Sequence, residues 1–355
     1  MRTSHATERR RGHGGIGRRT LLLALLGGVV GACDEAEPIL QDRHHHHQAA
    51  WPNWNPPGDV RRRIACPDCL PQLGTKTPAT PEPTNTAPTN PAPRIRYVVI
   101  GDYGWVGPAE QRVAEMVNAL EPDYVFTTGD NNYPSGSAAT IDENIGQYFA
   151  DFIFPYQGGF GSRATTNRFF PVLGNHDWDT DAASPYLKYF TLPANERYYD
   201  VVLGPVHFFA IDSDDREPDG NDAASLQARW LETTLRASRS PFNVVAMHHP
   251  PFSSGPHGDT RITQWPYGEW GADLVLAGHD HCYERLEVGG LTYLVSGLGG
   301  AVPYSFGDPT PGSLVRYSAK HGVVLLEADA RALHLSFADS DGDLIDSATI
   351  LARIR

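Results

Sequence analysis

The chain has little cysteine for its size: only Cys33, Cys66, Cys69 and Cys282 occur among 355 residues. Four cysteines are too few for a disulfide framework in a chain of this length, which excludes the disulfide-stapled class of proteins. A hydrophobic share of 40% suits a packed globular core. The length allows one large domain or two ordinary ones.

Positive charge is also scarce. Lysine and arginine number 29 against 42 aspartates and glutamates, which gives a formal net charge of −13. This balance argues against nucleic acid as a partner. An anionic substrate would therefore need a local positive centre, such as bound cations. The oligomeric state does not follow from the composition.

No transmembrane helix is expected at the N-terminus, although an apolar run occupies residues 21–30. The run is too short to span a bilayer and fits the hydrophobic region of an export signal. The preceding Arg18 and Arg19 resemble a twin-arginine signal. Residues 1–33 are therefore predicted to direct export to the periplasm or the cell exterior.

The signal ends in the sequence VGAC, which resembles a lipobox with Cys33 as the lipid-bearing residue. An ordinary secretory signal cut near Ala32 is the alternative. We favour the lipobox, which makes the chain a membrane-anchored lipoprotein attached through a lipid on Cys33.

Residues 34–93 are predicted to be a disordered linker, because they are rich in Pro and Thr and nearly free of large apolar residues. The His44–His47 tract could bind metal weakly, but a solvated tract without a role is favoured. Cys66 and Cys69 could form half a zinc knuckle. A simple disulfide or an inert pair is favoured, because no second ligand pair lies nearby.

The pattern of residue types changes at Arg94, where short runs rich in β-branched residues begin to alternate with segments of helical periodicity. The pattern predicts one α/β domain over residues 94–355. A helix is predicted at 108–120, and its Val113, Met116, Val117 and Leu120 are spaced to bury one face. A second helix at 223–238 has Leu226, Trp230 and Leu235 as its predicted buried stripe. Closing strands are predicted after residue 320, with turns at Asp329–Ala330 and Asp341–Gly342.

Five apolar strands of this domain each end in a loop that bears Asp, Asn or His. The loops offer Asp102; Asp130 and Tyr133; Asn175, His176 and Asp177; His248 and His249; and His279, Asp280 and His281. Ligands bind outside the carboxyl ends of strands in open α/β sheets. Of the nine histidines after residue 94, six lie in three of these loops when His257, which follows His248 in the same loop, is counted. The sequence therefore predicts a metal site at one sheet edge.

The five loops together resemble the metallophosphoesterase, or calcineurin-like phosphatase, superfamily over roughly residues 94–350. The motifs are D-x-G at Asp102, G-D-x-x-Y at Asp130 and Tyr133, G-N-H-D at Asn175, V-x-x-H at His248, and G-H-x-H at His279 and His281. A tyrosine three residues after the aspartate is the pattern of purple acid phosphatases, and the small tartrate-resistant type is the best match. The resemblance implies a four-layer α/β/β/α sandwich with two mixed β-sheets.

The resemblance also implies two metal ions. One would take Asp102, Asp130, Tyr133 and His281, and the other would take Asp130, Asn175, His248 and His279, so that Asp130 bridges. A phenolate and carboxylates suit Fe(III), whereas two histidines and an amide oxygen suit Fe(II), Zn(II) or Mn(II).

The implied reaction is hydrolysis of phosphomonoesters, in which a metal-bridging hydroxide attacks phosphorus in line. His176 is the candidate acid for the leaving group, and His257 is a second candidate that resembles a substrate-side histidine of the tartrate-resistant type. His249 is undecided between lining the site and packing, with packing or support of a ligand favoured. Asp177 and Asp280 are expected to shape the loops, and Cys282 to be a buried spectator rather than a soft ligand.

Two alternatives to a phosphomonoesterase remain open at this stage. The same metal pair could cleave phosphodiesters or nucleotides, because the rim loops choose the substrate. The chain could also be a non-enzymatic surface lipoprotein that keeps the fold, although an intact ligand set argues against this.

Overall fold

The computed structural model describes residues 94–353. The predicted export signal and linker, with Cys33, His44–His47, Cys66 and Cys69, lie outside the described residues. The first sheet contains β1 (Ile95–Ile100), β2 (Tyr124–Thr127), β3 (Phe169–Phe170), β11 (Gly322–Ala328), β12 (Ala332–Asp339) and β13 (Leu344–Leu351). The second contains β4 (Tyr199–Leu203), β5 (Val206–Ala210), β6 (Phe242–Ala246), β7 (Leu274–Ala277), β8 (Tyr283–Val288), β9 (Leu291–Ser296) and β10 (Ser313–Tyr317).

Both sheets mix parallel and antiparallel neighbours. The strand order is β13-β12-β11-β1-β2-β3 in the first sheet and β10-β8-β9-β7-β6-β5-β4 in the second. The parallel parts are β1-β2-β3 and β5-β6-β7-β9. Parallel strands end at the same sheet edge, so the loops that follow them are brought together.

Two helices of the described residues are long, at Pro108–Leu120 and Leu226–Ala237, and the others are short. In chain order the helices are α1 (Pro108–Leu120), α2 (Gln147–Phe149), α3 (Asn175–Trp178), α4 (Ser184–Tyr189), α5 (Leu226–Ala237) and α6 (Tyr267–Trp270). A π-helical segment at Asp142–Gly146 leads into α2, and 3₁₀ turns occupy Ala150–Phe152, Asp181–Ala183 and Arg261–Thr263. No helix within residues 94–353 combines the length and apolar character that crossing a bilayer requires.

The two sheets pack face to face through aromatic side chains. The Phe126 ring of β2 stacks on that of Phe208 of β5 at 3.9 Å between centroids, and Tyr283 of β8 stacks on Phe337 of β12 at 4.1 Å. The outer face of the second sheet is covered by α5 and α6, and α1 packs against β11 of the first sheet. The predicted α/β sandwich of two mixed sheets is confirmed.

Helix α1 forms where the sequence predicts it. Pro108 stands in its first turn, where a missing backbone N–H costs nothing. The predicted stripe of Val113, Met116, Val117 and Leu120 is buried. The helix ends at Leu120, and the capping residue Glu121 has a left-handed backbone with φ of 46°.

The predicted buried stripe of α5 was wrong at Leu226, whose side chain is 57% exposed. The helix begins one residue after Ser225, whose side chain caps it by accepting from the Ala228 N–H at 3.0 Å. This start turns Gln227 inward, where its amide bonds the backbone N–H and C=O of Asp212. A polar residue therefore occupies part of the face that apolar spacing assigned to Leu226.

Helix α1 also buries a carboxyl group that has no partner. Glu110 is fully buried, and neither of its carboxyl oxygens has a hydrogen-bond partner among the described residues. Burial raises the pKa of Glu110 from 4.5 to about 10. The folded chain therefore keeps this proton over a pH range in which the unfolded chain releases it, so stability falls as pH rises from about 4.5 to about 10.

The Glu110→Gln variant should remove this pH-dependent loss. Its free energy of unfolding should match that of the parent near pH 4 and exceed it by about 3 kcal/mol at pH 7, since each pKa unit corresponds to about 1.4 kcal/mol. Urea unfolding at several pH values measures the difference. Glu115→Gln, at a partly exposed position of the same helix, should stay within about 0.5 kcal/mol of the parent. A Glu110→Gln curve parallel to that of the parent at every pH would contradict the assignment.

Candidate metal centre

The seven predicted metal ligands lie on loops that follow parallel strands of both sheets. Asp102 follows β1, Asp130 and Tyr133 follow β2, and Asn175 opens α3 after β3. His248 follows β6, and His279 and His281 follow β7. The centre therefore lies where the carboxyl edges of the two sheets meet.

Three of these residues hold an unusual backbone conformation. Asp102, Asp130 and His279 are non-glycine residues with φ of 53°, 52° and 68°. The left-handed region costs such residues free energy and is found mainly where the surrounding structure over-determines it, often at functional sites. Each directly follows a glycine and turns its side chain out of a sharp bend.

Two glycines allow the loops to approach one another. A Cβ on Gly129 would lie 2.5 Å from Nδ1 of His248, and one on Gly174 would lie 2.2 Å from the backbone N of Asp130. No side chain fits at these distances, so glycine is required for the contact between the loop after β2 and its neighbours.

The first cluster surrounds the Tyr133 hydroxyl. This oxygen lies 2.9 Å from Oδ2 of Asp130, 3.4 Å from Oδ1 of Asp102 and 3.3 Å from Nε2 of His281. Nε2 of His281 is 3.5 Å from Oδ1 of Asp102. Four donor atoms from three loops thus face one small volume.

The second cluster surrounds Nε2 of His248. This nitrogen lies 2.9 Å from Oδ1 of Asn175, 3.3 Å from Nδ1 of His279 and 3.4 Å from Oδ2 of Asp130. Oδ2 of Asp130 also accepts from Tyr133, so one carboxylate oxygen faces both clusters. The structure therefore connects all seven predicted ligands through Asp130.

The outer nitrogens of two histidines are held by backbone carbonyls. Nδ1 of His248 lies 2.8 Å from the Thr128 carbonyl oxygen, and Nδ1 of His281 lies 2.9 Å from that of Val302. A carbonyl only accepts, so each Nδ1 carries a proton, and the lone pair of the neutral ring lies on Nε2, which faces the centre. This arrangement is typical of metal-binding histidines.

The charges of the cluster depend on one another. Burial raises the pKa of Asp130, but the adjacent His248 and His176 outweigh burial and hold that pKa below its usual range. Burial alone would lower the pKa of His248, whereas the Asp130 carboxylate raises it to about 10. Burial, followed by the charges of Asp102 and Asp130, raises the pKa of Tyr133 well above 10.

The donor set fits metal ions. Ligand atoms of Asp102, Asp130 and His248 lie within 4.8 Å of one another, and within residues 94–353 neither carboxylate pairs with a lysine or arginine. Two nitrogens at about 2.05 Å from a tetrahedral zinc ion would be about 3.3 Å apart, as are those of His248 and His279. The assignment of individual ligands stays a prediction.

The two candidate acids lie at the rim. Nε2 of His176 is 3.9 Å from Oδ2 of Asp130, its ring packs on Tyr133 at 4.6 Å, and its side chain is 35% exposed. The exposed His257 has its ring 4.2 Å from that of His279. Both face the centre from outside the ligand clusters.

Buried carboxylates shape the loops. Asp177 accepts from the backbone N–H of Asn131 and of Gly174, which fixes the start of α3. Asp280 accepts from the Ser253 hydroxyl and from the His257 N–H at 3.0 Å, so it ties the rim histidine to the loop after β7. Cys282 is buried with a free thiol, whose pKa burial raises.

Several residues near the centre were missed by sequence reasoning. The Tyr304 ring stacks on His281 at 4.0 Å, and the half-exposed Trp105 packs on Tyr133 at 5.6 Å. Arg216 donates to the Asn175 carbonyl oxygen at 2.9 Å. No motif marks these positions. Trp105 alone carried a signal, because it is an apolar residue three positions after Asp102.

Comparison with known proteins was consistent with this geometry. The model of the family described as calcineurin-like phosphoesterase matches residues 95–283. Purple acid phosphatase 17 of Arabidopsis thaliana is 27% identical over 237 residues, which cover 58% of this chain and 68% of the plant protein. Tartrate-resistant acid phosphatase type 5 of Mus musculus is 28% identical over 268 residues, covering 64% of this chain and 78% of the mouse protein.

The fold has a counterpart among solved structures. Purple acid phosphatase PPD1 of yellow lupin superposes with a TM-score of 0.61 at 21% sequence identity. The match covers 74% of this chain but only 54% of the lupin chain, so the chain spans about half of that larger protein. At this identity the likeness establishes the fold alone.

Metal uptake by the metal-free protein should depend on pH. His248 is protonated below about pH 10 in the metal-free state, and a metal ion needs its neutral form, so binding must displace a proton. The apparent affinity for zinc at the His248 cluster should therefore rise about tenfold per pH unit between pH 6 and 8. Competition with a chelator measures this slope. His334→Asn, a change on β12, should keep the slope, whereas affinity independent of pH would contradict the His248–Asp130 coupling.

Proposed function

Because the chain belongs to the calcineurin-like phosphoesterase family and is thus an enzyme that cleaves phosphate esters, we propose that it is a dinuclear phosphomonoesterase of the acid phosphatase kind. One observation carries this proposal. Oδ2 of Asp130 faces Tyr133 at 2.9 Å and His248 at 3.4 Å, so a single oxygen is shared by two donor clusters. Two clusters that share one carboxylate are suited to a bridged pair of cations.

The two clusters differ in chemistry. The Tyr133 cluster, with Asp102, Asp130 and His281, offers hard oxygen donors that suit Fe(III). The His248 cluster, with Asp130, Asn175 and His279, suits Fe(II), Zn(II) or Mn(II). When bound, the cations would supply an activated water and neutralise phosphate oxygens. The similarity to purple and tartrate-resistant acid phosphatases supports this pairing.

His176 is placed to protonate the leaving group. Its Nδ1 faces the Pro134 carbonyl oxygen, which only accepts, so Nδ1 holds a proton. Nε2 then faces the centre, 3.9 Å from Oδ2 of Asp130, so a proton on this atom can be donated to an ester oxygen bound there. The exposure of the ring leaves room for an ester oxygen beside it.

His257 lies at the part of the rim beside His279, where it can bind the substrate. Its backbone N–H is held by Asp280, and its ring lies near those of His279 and Tyr304. From this position it can donate to a phosphate oxygen. We assign orientation of the phosphate to His257 and proton delivery to His176.

The proposed setting follows from the N-terminal sequence. We expect export to the periplasm or the cell exterior and attachment to a membrane through a lipid on Cys33. Residues 34–93 would serve as the tether. The partner is a phosphate ester and not a nucleic acid, given the net charge of −13.

The proposal is tested with the full chain loaded with metal. Phosphate release should be at least tenfold faster from 4-nitrophenyl phosphate than 4-nitrophenol release from bis(4-nitrophenyl) phosphate, compared as kcat/KM. A higher kcat/KM for the diester would contradict the proposal and identify the enzyme as a phosphodiesterase. No turnover of either ester by protein that holds two metal ions would favour the non-enzymatic alternative.

The His176→Asn variant should separate acid catalysis from metal binding. Turnover of an alkyl phosphate such as glycerol 2-phosphate should fall about 10²-fold or more, because an alkoxide needs a proton to leave. Turnover of 4-nitrophenyl phosphate should fall much less, because nitrophenolate leaves without one. Metal content should stay at the parent level. Equal losses for both esters would contradict the role of His176 as the acid.

A further inference from the structure

The loop after β6 carries a second histidine that the ligand assignment leaves unused. We propose that His249 is an additional metal ligand, on the side of the centre formed by His248 and His279. One ring nitrogen from each of these three histidines lies within 4.8 Å of the other two, so a single ion can reach all three. This inference rests on the proposed metal centre and extends its ligand set from seven residues to eight.

The orientation of His249 matches that of His248 and His281. Its Nδ1 lies 2.9 Å from the hydroxyl oxygen of Ser213, and the same oxygen accepts the His249 backbone N–H at 2.9 Å. His248 and His281 likewise have Nδ1 next to an oxygen. When the Ser213 hydroxyl accepts from Nδ1, the lone pair of the neutral His249 ring lies on the inner nitrogen, where an ion can bind.

The surroundings of His249 are not those of a packing residue. Its ring lies edge-on to that of His248 at 5.0 Å between centroids and tilted to that of His279 at 4.5 Å, and neither pair is stacked. The outer side of the ring meets a serine hydroxyl. A histidine that only packs is expected among apolar side chains. A metal ligand is expected between other ligands on one side and a hydrogen-bonding group that orients its ring on the other, as His249 is.

A third imidazole would change the metal preference of this position. With His249, the ligand set gains a third nitrogen beside the oxygens of Asp130 and Asn175. Imidazole nitrogens favour Zn(II) over Mn(II), which prefers oxygen donors. His249 would therefore bias the divalent position toward zinc.

Zinc and manganese affinities of the metal-depleted full chain, measured by chelator competition, test this assignment. His249→Gln should weaken one of the two zinc sites by about tenfold or more, and Ser213→Ala should weaken the same site by a smaller factor. His249→Asp, which restores a donor of oxygen type, should recover manganese binding more than zinc binding. His257→Asn is the matched control, since its ring is also close to His279, and zinc affinity should not change.

Zinc affinity of His249→Gln within twofold of the parent would overturn the proposal, whether phosphate release falls or not. Lower release would then place His249 on the substrate, and unchanged release would make it a packing residue. If His249→Gln does not fold, unaltered zinc affinity in Ser213→Ala together with no manganese recovery in His249→Asp would overturn the proposal. A parent chain that binds two zinc ions but releases no phosphate would refute the proposed function and leave this ligand assignment standing.

Discussion

The centre of this protein is built around negative charge that the chain buries, within the described residues, without a lysine or arginine beside it. The carboxylates of Asp102 and Asp130 are 0% and 2% exposed, and ligand atoms of both lie within 4.8 Å of one another and of His248. Burying two such anions side by side costs several kcal/mol unless a cation compensates them. In the described part of the chain, the basic side chains that approach them are histidines, so bound cations that replace the histidine protons are the expected compensation.

The two-sheet architecture holds this charge in place. The parallel strands β1, β2 and β3 bring one set of loops to the edge of the first sheet, and β6 and β7 bring the other set from the second sheet. Stacked aromatics such as Phe126 and Phe208 lock the sheets together. The left-handed backbones of Asp102 and Asp130 are held in place because the strand residues that lead into them are buried. The packing of the core thus compensates the free energy that the left-handed backbones at the centre cost.

Much of this arrangement could be predicted from sequence, for identifiable reasons. Helix α1 has strong apolar periodicity, and each ligand loop follows an apolar strand with a glycine beside its polar residue. Strands β4, β8 and β10 were not predicted. Polar and apolar residues occur at both their buried and their exposed positions, so neither a regular alternation nor a long apolar run marks them as strands. Tyr304 and Ser213 could not have been found, since their roles come from contacts between segments distant in the chain. The inward turn of Gln227 depends on a tertiary hydrogen bond in the same way.

The central claim is that Asp130 joins two metal positions. Elemental analysis of the purified full chain, reconstituted with excess metal and then desalted, tests it most directly. The account predicts two ions per chain for the parent and the loss of both in Asp130→Ala, with folding verified by tryptophan fluorescence. A parent that retains one ion or none, or an Asp130→Ala chain that still holds two, would contradict it.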